Sequence, residues 1–247
     1  MPSIYRITKS LLRDDVVRAH LYADLDQEFY WDDSWDPEFY VELARAGFIS
    51  IAIDDSELGP LLLPQLQPSY ALLDWENLHY SRNLQRLLRS GRLEDEQLEL
   101  RIVDSPERVL ERLVAYHEEN WILQAYQNLV LKLPSQGDVL FSVRGVELWS
   151  GERDELVAGE IGYTIGRTYT SLSGFCTPDE PALRHFGTLQ MVLLAGMLQE
   201  RGYAFWNLGH SIQDYKKALG ARVTPRERFL ERWLAARDGT PEPRNRR

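Results

Sequence analysis

The chain has a single cysteine, Cys176, in 247 residues. That excludes an internal disulfide and suits a reducing compartment. Its five histidines show no metal-ligand spacing, so no metal site is expected. Cations are scarce too: 28 Lys and Arg stand against 38 Asp and Glu, a formal charge of −10. A nucleic-acid binder that uses its whole surface is excluded, because phosphate contacts need clustered Lys and Arg. A local basic patch stays open. No apolar run reaches the roughly 20 residues needed to span a bilayer. Residues 1–6 lack the apolar stretch of a signal peptide. A cytoplasmic monomer with no membrane partner is the expectation.

What is present is a globular composition, 44% hydrophobic and 27% charged, long enough to bury a substantial core. Residues 1–35 show no clear period. Asp36-Pro37 reads as an N-cap followed by proline at the first helical position, and Gly47 as the left-handed stop. A strand is expected over 48–53, then a Pro/Leu-rich connection over 59–68 and a strand over 70–73. Ser81 caps a helix that Gly91 ends. Leu98, Leu100 and Ile102 alternate with Glu99 and Arg101, which predicts a half-buried strand. Helices are expected from Ser105-Pro106 onward and over 123–131.

From Val139 the pattern turns to β-hairpins, with strands over 156–165 and 168–176. A helix over 182–201 is apolar on more than one face and is expected to be buried. A strand over 204–208 and a helix from Pro225 to about residue 236 complete the series. The expected architecture is a mixed α/β sheet flanked by helices. It divides into an N-terminal α/β region (1–75), a main domain (76–237) and a disordered tail (238–247).

The order of elements over 154–235 is similar to that with which the Gcn5-related acyltransferase (GNAT) fold builds its acyl-transfer cleft. Shorter motifs narrow the likeness. Arg45-Ala46-Gly47-Phe48, Leu78-His79-Tyr80-Ser81-Arg82-Asn83-Leu84-Gln85-Arg86, Trp121-Ile122 with Ala125-Tyr126 and Leu129, and Leu219-Gly220-Ala221 with Arg226 and Phe229-Leu230 lie in one order. In that order they resemble the bacterial leucyl/phenylalanyl-tRNA–protein transferases. Tyr215-Lys216 with Leu219-Gly220 is similar to a motif of the related peptidoglycan-bridge transferases. The resemblance implies a GNAT-like fold, aminoacyl-tRNA as donor, a protein N-terminus as acceptor and no cofactor. Four positions depart from the family. Leu172 and Asn207 stand where it has acids, Gly174 where it has methionine, and Ile51 where its first tryptophan falls.

Acyl transfer to an amine requires a proton acceptor, a stabilised oxyanion and oriented reactants. Lys216 is a candidate charge for the oxyanion or the leaving oxygen; its alternative is a solvated lysine beside Lys217. Asn207, where the resemblance implies an acid, can orient the incoming amine; the alternative is a strand-end residue. His210 is a candidate proton acceptor or an exposed loop histidine. Glu160 is a candidate base, as in CoA-dependent GNAT enzymes, or a solvent-facing strand residue. Trp121 can stack on an adenine or fill the core. Arg82, Arg86 and Arg89, spaced along one helix, can grip phosphates or form a solvated basic face. Tyr163, Tyr169 and Phe175 are candidates for the acyl pocket, with core packing as the alternative.

Arg184 and Gly187 partly match a pyrophosphate loop in which helix N-terminal amides bind an anion. That feeds a second reading, a CoA-dependent N-acyltransferase with acyl-CoA as donor. A third is a catalytically inactive module that binds peptide termini.

Overall fold

A computed structural model of the chain describes residues 4–117, 121–135, 140–177, 185–211 and 213–243. In order the elements are β1 (Tyr5–Arg6), α1 (Lys9–Arg13), α2 (Asp15–Ala23), β2 (Tyr30–Trp31), α3 (Pro37–Arg45), β3 (Ile49–Asp55), β4 (Gly59–Gln65) and β5 (Ser69–Leu73). Then come α4 (Arg82–Leu88), α5 (Arg92–Asp95), β6 (Leu98–Val103), α6 (Glu107–Tyr116), α7 (Gln124–Val130), β7 (Ser142–Ser150), β8 (Glu155–Ile165) and β9 (Thr168–Cys176). The chain ends with α8 (Phe186–Glu200), β10 (Phe205–His210), α9 (Asp214–Leu219), β11 (Arg222–Pro225) and α10 (Arg226–Ala236).

Seven strands form the main sheet in the order β11-β5-β10-β9-β8-β7-β6. Every neighbouring pair is antiparallel except β9 with β10. The expected mixed α/β sheet flanked by helices is thus present. On one face Ile161, Tyr163 and Ile165 pack with Leu43 of α3, Leu113 of α6, Tyr126 of α7 and Trp233 of α10. On the other, Val146, Ala158 and Trp206 pack with Leu189 and Leu194 of α8. Alternation along β8 from Ala158 onward turns Glu160 toward α8 and Ile161, Tyr163 and Ile165 toward α6.

Local chemistry explains most boundaries. The Asp36 carboxylate accepts from Glu38 N, Pro37 opens α3, and Gly47 follows it at φ +94°. Ser81 accepts from Leu84 N at the start of α4. One expectation needs correction. The segment over 59–68, expected as a connection, contains β4, paired with β3 from Gly59 to Gln65. Residues 1–35, which show no clear period in sequence, hold β1, α1, α2 and β2. In addition, β5 lies inside the main sheet although it precedes residue 76. Beyond α10, Asp238 pairs with Arg45 and the Glu242 backbone lies against Gly202.

Arg226 fastens the N-terminal segment to this sheet. Its side chain is fully buried, yet no acidic side chain pairs with it among the described residues. Its guanidinium donates instead to the carbonyls of Asp24, Gln27 (3.4 Å), Leu66 and Gln67 (3.0 Å). Arg226→Met should retain the volume and strip those carbonyls of their donors. The expected loss is on the order of 3 kcal/mol in urea unfolding. Arg228→Met, on the exposed side of the same helix and ion-paired to Glu231, should change stability by less than about 0.5 kcal/mol. Equal effects would remove the clamp role.

Candidate active site

Where β9 and β10 begin they run side by side, with Phe205 opposite Thr168, Trp206 opposite Tyr169 and Asn207 opposite Thr170. They then part. β9 continues to Cys176 along β8 alone, while β10 bends so that His210 meets Tyr70 of β5. Irregularities on both strands shape the gap. Ile161 pairs with Ser173 but Gly162 with Ser171, so Leu172 is a bulged residue without a partner on β8. On β10, Gly209 takes a left-handed φ of +71°, and its N–H donates to Asn207 Oδ1 at 2.9 Å. The other end of that amide, Nδ2, reaches Thr170 Oγ1 at 3.4 Å.

The gap opens into a cleft of about 590 Å³ lined from both faces of the sheet. Tyr116, His117 and Trp121 come from the α6–α7 side; Gly187, Thr188, Gln190 and Met191 come from α8; Gln213, Tyr215 and Lys216 come from α9 and the loop before it. Glu160 lies at its floor, 5% exposed. Its Oε1 accepts from Tyr169 Oη (2.8 Å) and Ser171 Oγ (2.7 Å), and its Oε2 from Gln190 Nε2 (3.2 Å). Ser171 Oγ also accepts from Trp206 Nε1 at 2.8 Å. Burial pushes the Glu160 carboxyl up, and the three donors with the Lys216 charge act against that.

Lys216 is the counter-charge, also only 5% exposed. Its Nζ donates to the His210 carbonyl at 2.9 Å and has no direct ion pair among the described residues. Burial pulls its pKa down to about 8, against the raising influence of Glu160. At neutral pH it is thus an ammonium close to losing its proton. A cation and a carboxylate, held without touching beside an apolar wall of Leu172, Phe175, Met191 and Leu208, can stabilise developing negative charge on a carbonyl and deliver a proton.

Of the residues expected at the site, Lys216, Glu160, Trp121, Phe175 and Gly187 line the cleft. Tyr169 reaches it only through Glu160. Three lie elsewhere. Tyr163 stacks on Phe141 at 5.2 Å in the α6-side core, which it shares with Ile161 and Ile165, two residues away on either side along β8. Asn207 is fully buried with both ends of its amide engaged. The His210 side chain is exposed, and its backbone carbonyl is what serves Lys216. Arg184 lies outside the described residues. His117, Ser171 and Gln190 join the site without a motif to mark them, because their places depend on long-range packing. Tyr215, which also lines the cleft, belongs to the motif around Lys216.

Arg82, Arg86 and Arg89 are exposed, and none has an acidic partner among the described residues. The opposite side of α4 is not isolated from the cleft. Ser81, Leu84 and Leu87 line a second cavity of about 240 Å³, which shares Thr188, Met191 and Tyr215 with the first. Among the described residues no group of His, Cys, Asp and Glu is placed to hold a metal.

Residues 72–234 match the family model of leucyl/phenylalanyl-tRNA protein transferase. The protein of that name from Rubrobacter xylanophilus is 29% identical over 197 residues, covering 79% of this chain and 92% of the relative. Its namesake from Pseudomonas syringae pv. tomato is 29% identical over 177 residues, 70% of this chain and 69% of the relative. Among solved structures, a C-terminal domain assigned to a lysylphosphatidylglycerol synthetase from Agrobacterium fabrum is similar with a TM-score of 0.48. It is 15% identical, and the likeness covers 90% of this chain and 76% of that one.

The coupling of Lys216 to Glu160 has a measurable sign. The carboxylate favours the ammonium, so Glu160→Gln should lower the Lys216 midpoint below about 8. A titration followed at the labelled lysine side chain by NMR reads this directly. A midpoint that stays put in Glu160→Gln, or rises, would show that the two charges do not interact.

Proposed function

The chain belongs to the leucyl/phenylalanyl-tRNA protein transferase family, and on that premise we propose that it moves an amino acid from an aminoacyl-tRNA to an amine, the N-terminus of a protein. The observation that carries this reading is the cleft between the parting strands, where a buried ammonium faces an apolar wall. Leu172, Phe175 and Met191 suit an apolar aminoacyl side chain. Lys216 lies where it can meet the ester carbonyl as it turns into an oxyanion, or the 3′-oxygen as it leaves. Glu160 positions that charge; its own oxygens already accept three hydrogen bonds, which leaves it poorly placed to take a further proton. Trp121, partly exposed at the cleft wall, offers a ring for the terminal base. Arg82, Arg86 and Arg89 supply the local basic face that a chain of charge −10 otherwise lacks, on a helix whose other side adjoins the cleft.

Purified protein, leucyl- or phenylalanyl-tRNA and a peptide with a free α-amino group test the proposal together. The peptide should gain one aminoacyl residue, read by mass spectrometry. Transfer from acyl-CoA alone, or from no donor, would overturn it. Arg86→Glu with Arg89→Glu should weaken binding of the charged tRNA and flatten the plot of log affinity against log salt by about one to two units. An unchanged slope removes α4 from the interface.

Lys216→Met addresses the chemistry. A fixed ammonium favours the transition state over the neutral ester, so its loss should cut turnover by about 10²–10³ while donor affinity holds. Lys217→Met is the control: that lysine is exposed and lies 3.7 Å from Asp214. Matching small effects would mark both as solvated lysines.

A further inference from the structure

The cleft presents two chemically different sides, and the proton acceptor for the attacking amine is a separate question from the charge at Lys216. We propose that His117 is that acceptor, working across the gap from Lys216. This rests on the aminoacyl-transfer reading above.

Backbone alternation fixes where His117 acts. Thr177 N donates to Val157 O at 2.7 Å, so residues 157 and 177 form a hydrogen-bonded pair on the antiparallel ladder. Alternating from there, Gly159 with Phe175 and Ile161 with Ser173 bond across the strands. Glu160 with Gly174 is then a non-bonded pair. The N–H and C=O of Gly174 accordingly point away from β8, into the space that β10 has left. The His117 ring occupies that edge: its Nε2 lies 3.2 Å from Gly174 O and 3.4 Å from Ser173 Oγ. With an Nε2 proton given to the carbonyl, the neutral ring carries its lone pair on Nδ1. Tyr116 meets the imidazole edge-on at 4.9 Å and holds its plane.

Glu160, Lys216 and His210 are less suited. Glu160 already accepts three donors, Lys216 is protonated at neutrality, and the His210 side chain is turned to solvent. His117 approaches from the α6 side of the sheet and Lys216 from the α8 side, and both line one cleft. That is the disposition an addition–elimination at a carbonyl requires. The amine nitrogen forms the new C–N bond as the carbonyl π pair moves to oxygen. His117 Nδ1 takes one proton from the resulting ammonium. The oxygen pair then returns, the C–O bond to the ribose 3′-oxygen breaks, and that oxygen takes a proton from Lys216. One proton is gained at His117 and one lost at Lys216, so exchange with water resets both.

The test uses the full chain with charged tRNA and acceptor peptide. His117→Gln, which keeps an amide donor for Gly174 O, should lower kcat by about 10²-fold or more with the donor KM little changed. His117→Ala should show the same loss, and added imidazole should restore turnover in proportion to its concentration. Rescue is the reading that a merely structural histidine would not give. Full activity in His117→Gln overturns the assignment. So does a loss in folded His117→Ala that imidazole does not lift. A wild type that transfers nothing overturns the aminoacyl-transfer reading itself, an outcome distinct from an active wild type indifferent to His117.

Discussion

Beneath the gap in the sheet lies a carboxylate that the surrounding elements converge on. Separating β9 from β10 removes backbone pairing in the middle of a sheet, where no other strand can supply it. Glu160 of β8 takes over part of that connection. It gathers Tyr169 and Ser171 of β9 and Gln190 of α8, and through Ser171 it reaches Trp206 of β10. Burying the charge is costly, and it is tolerated because three donors and a nearby ammonium offset the lost hydration. The same carboxylate makes a buried Lys216 sustainable as a cation. Strand separation, anion and cation are therefore one arrangement: each is favourable only with the others in place.

Much of this fold can be read locally, and the exceptions have physical causes. Asp36-Pro37, Ser81 and Gly47 mark helix ends because capping involves neighbouring residues only. β4 resists such a reading because Pro60 and Pro64 resemble strand breakers. Leu62 exchanges hydrogen bonds with Asp32 on the edge away from β3. Residues 60, 62 and 64 share that parity, so the proline nitrogens face the outer edge and β3 loses no donor. The helices before residue 24 are short and carry no strong period. They are held by distant groups: Tyr22 Oη bonds to Ala46 O at 2.9 Å, and Arg226 donates to Asp24 O. No window of sequence contains those partners.

The site divides in the same way. Lys216 and Glu160 are legible as candidates because their surroundings in sequence, a Tyr-Lys pair in a short helix that Gly220 ends and a charge in an apolar strand, are unusual. Asn207 and Tyr163 sit in equally suggestive places yet serve the bulge and the core. Which way a strand residue faces is decided by register, and the bulge at Leu172 resets that register within the site. His117 follows an amphipathic helix with no motif of its own. It becomes conspicuous only when Gly174 O turns outward into a space that local pattern cannot predict.

The overall charge has a part in the aminoacyl-transfer reading. A protein of formal charge −10 repels long polyanions at a distance, and that repulsion is screened beyond about 8 Å at physiological salt. Arg82, Arg86 and Arg89, along α4 and at its C-terminal cap and without acidic partners among the described residues, act within that range. Such a surface disfavours sliding contact along a nucleic acid and favours a short stretch of phosphates presented close to α4. A donor whose reactive ester lies at a chain end meets that condition. On the proposed reading its last nucleotides would enter the cleft beside Thr188 and Tyr215 while the preceding phosphates met Arg82, Arg86 and Arg89. The acidic remainder of the surface would then work for selectivity, since interior segments of other nucleic acids would gain the same few contacts but could not place an ester between β9 and β10.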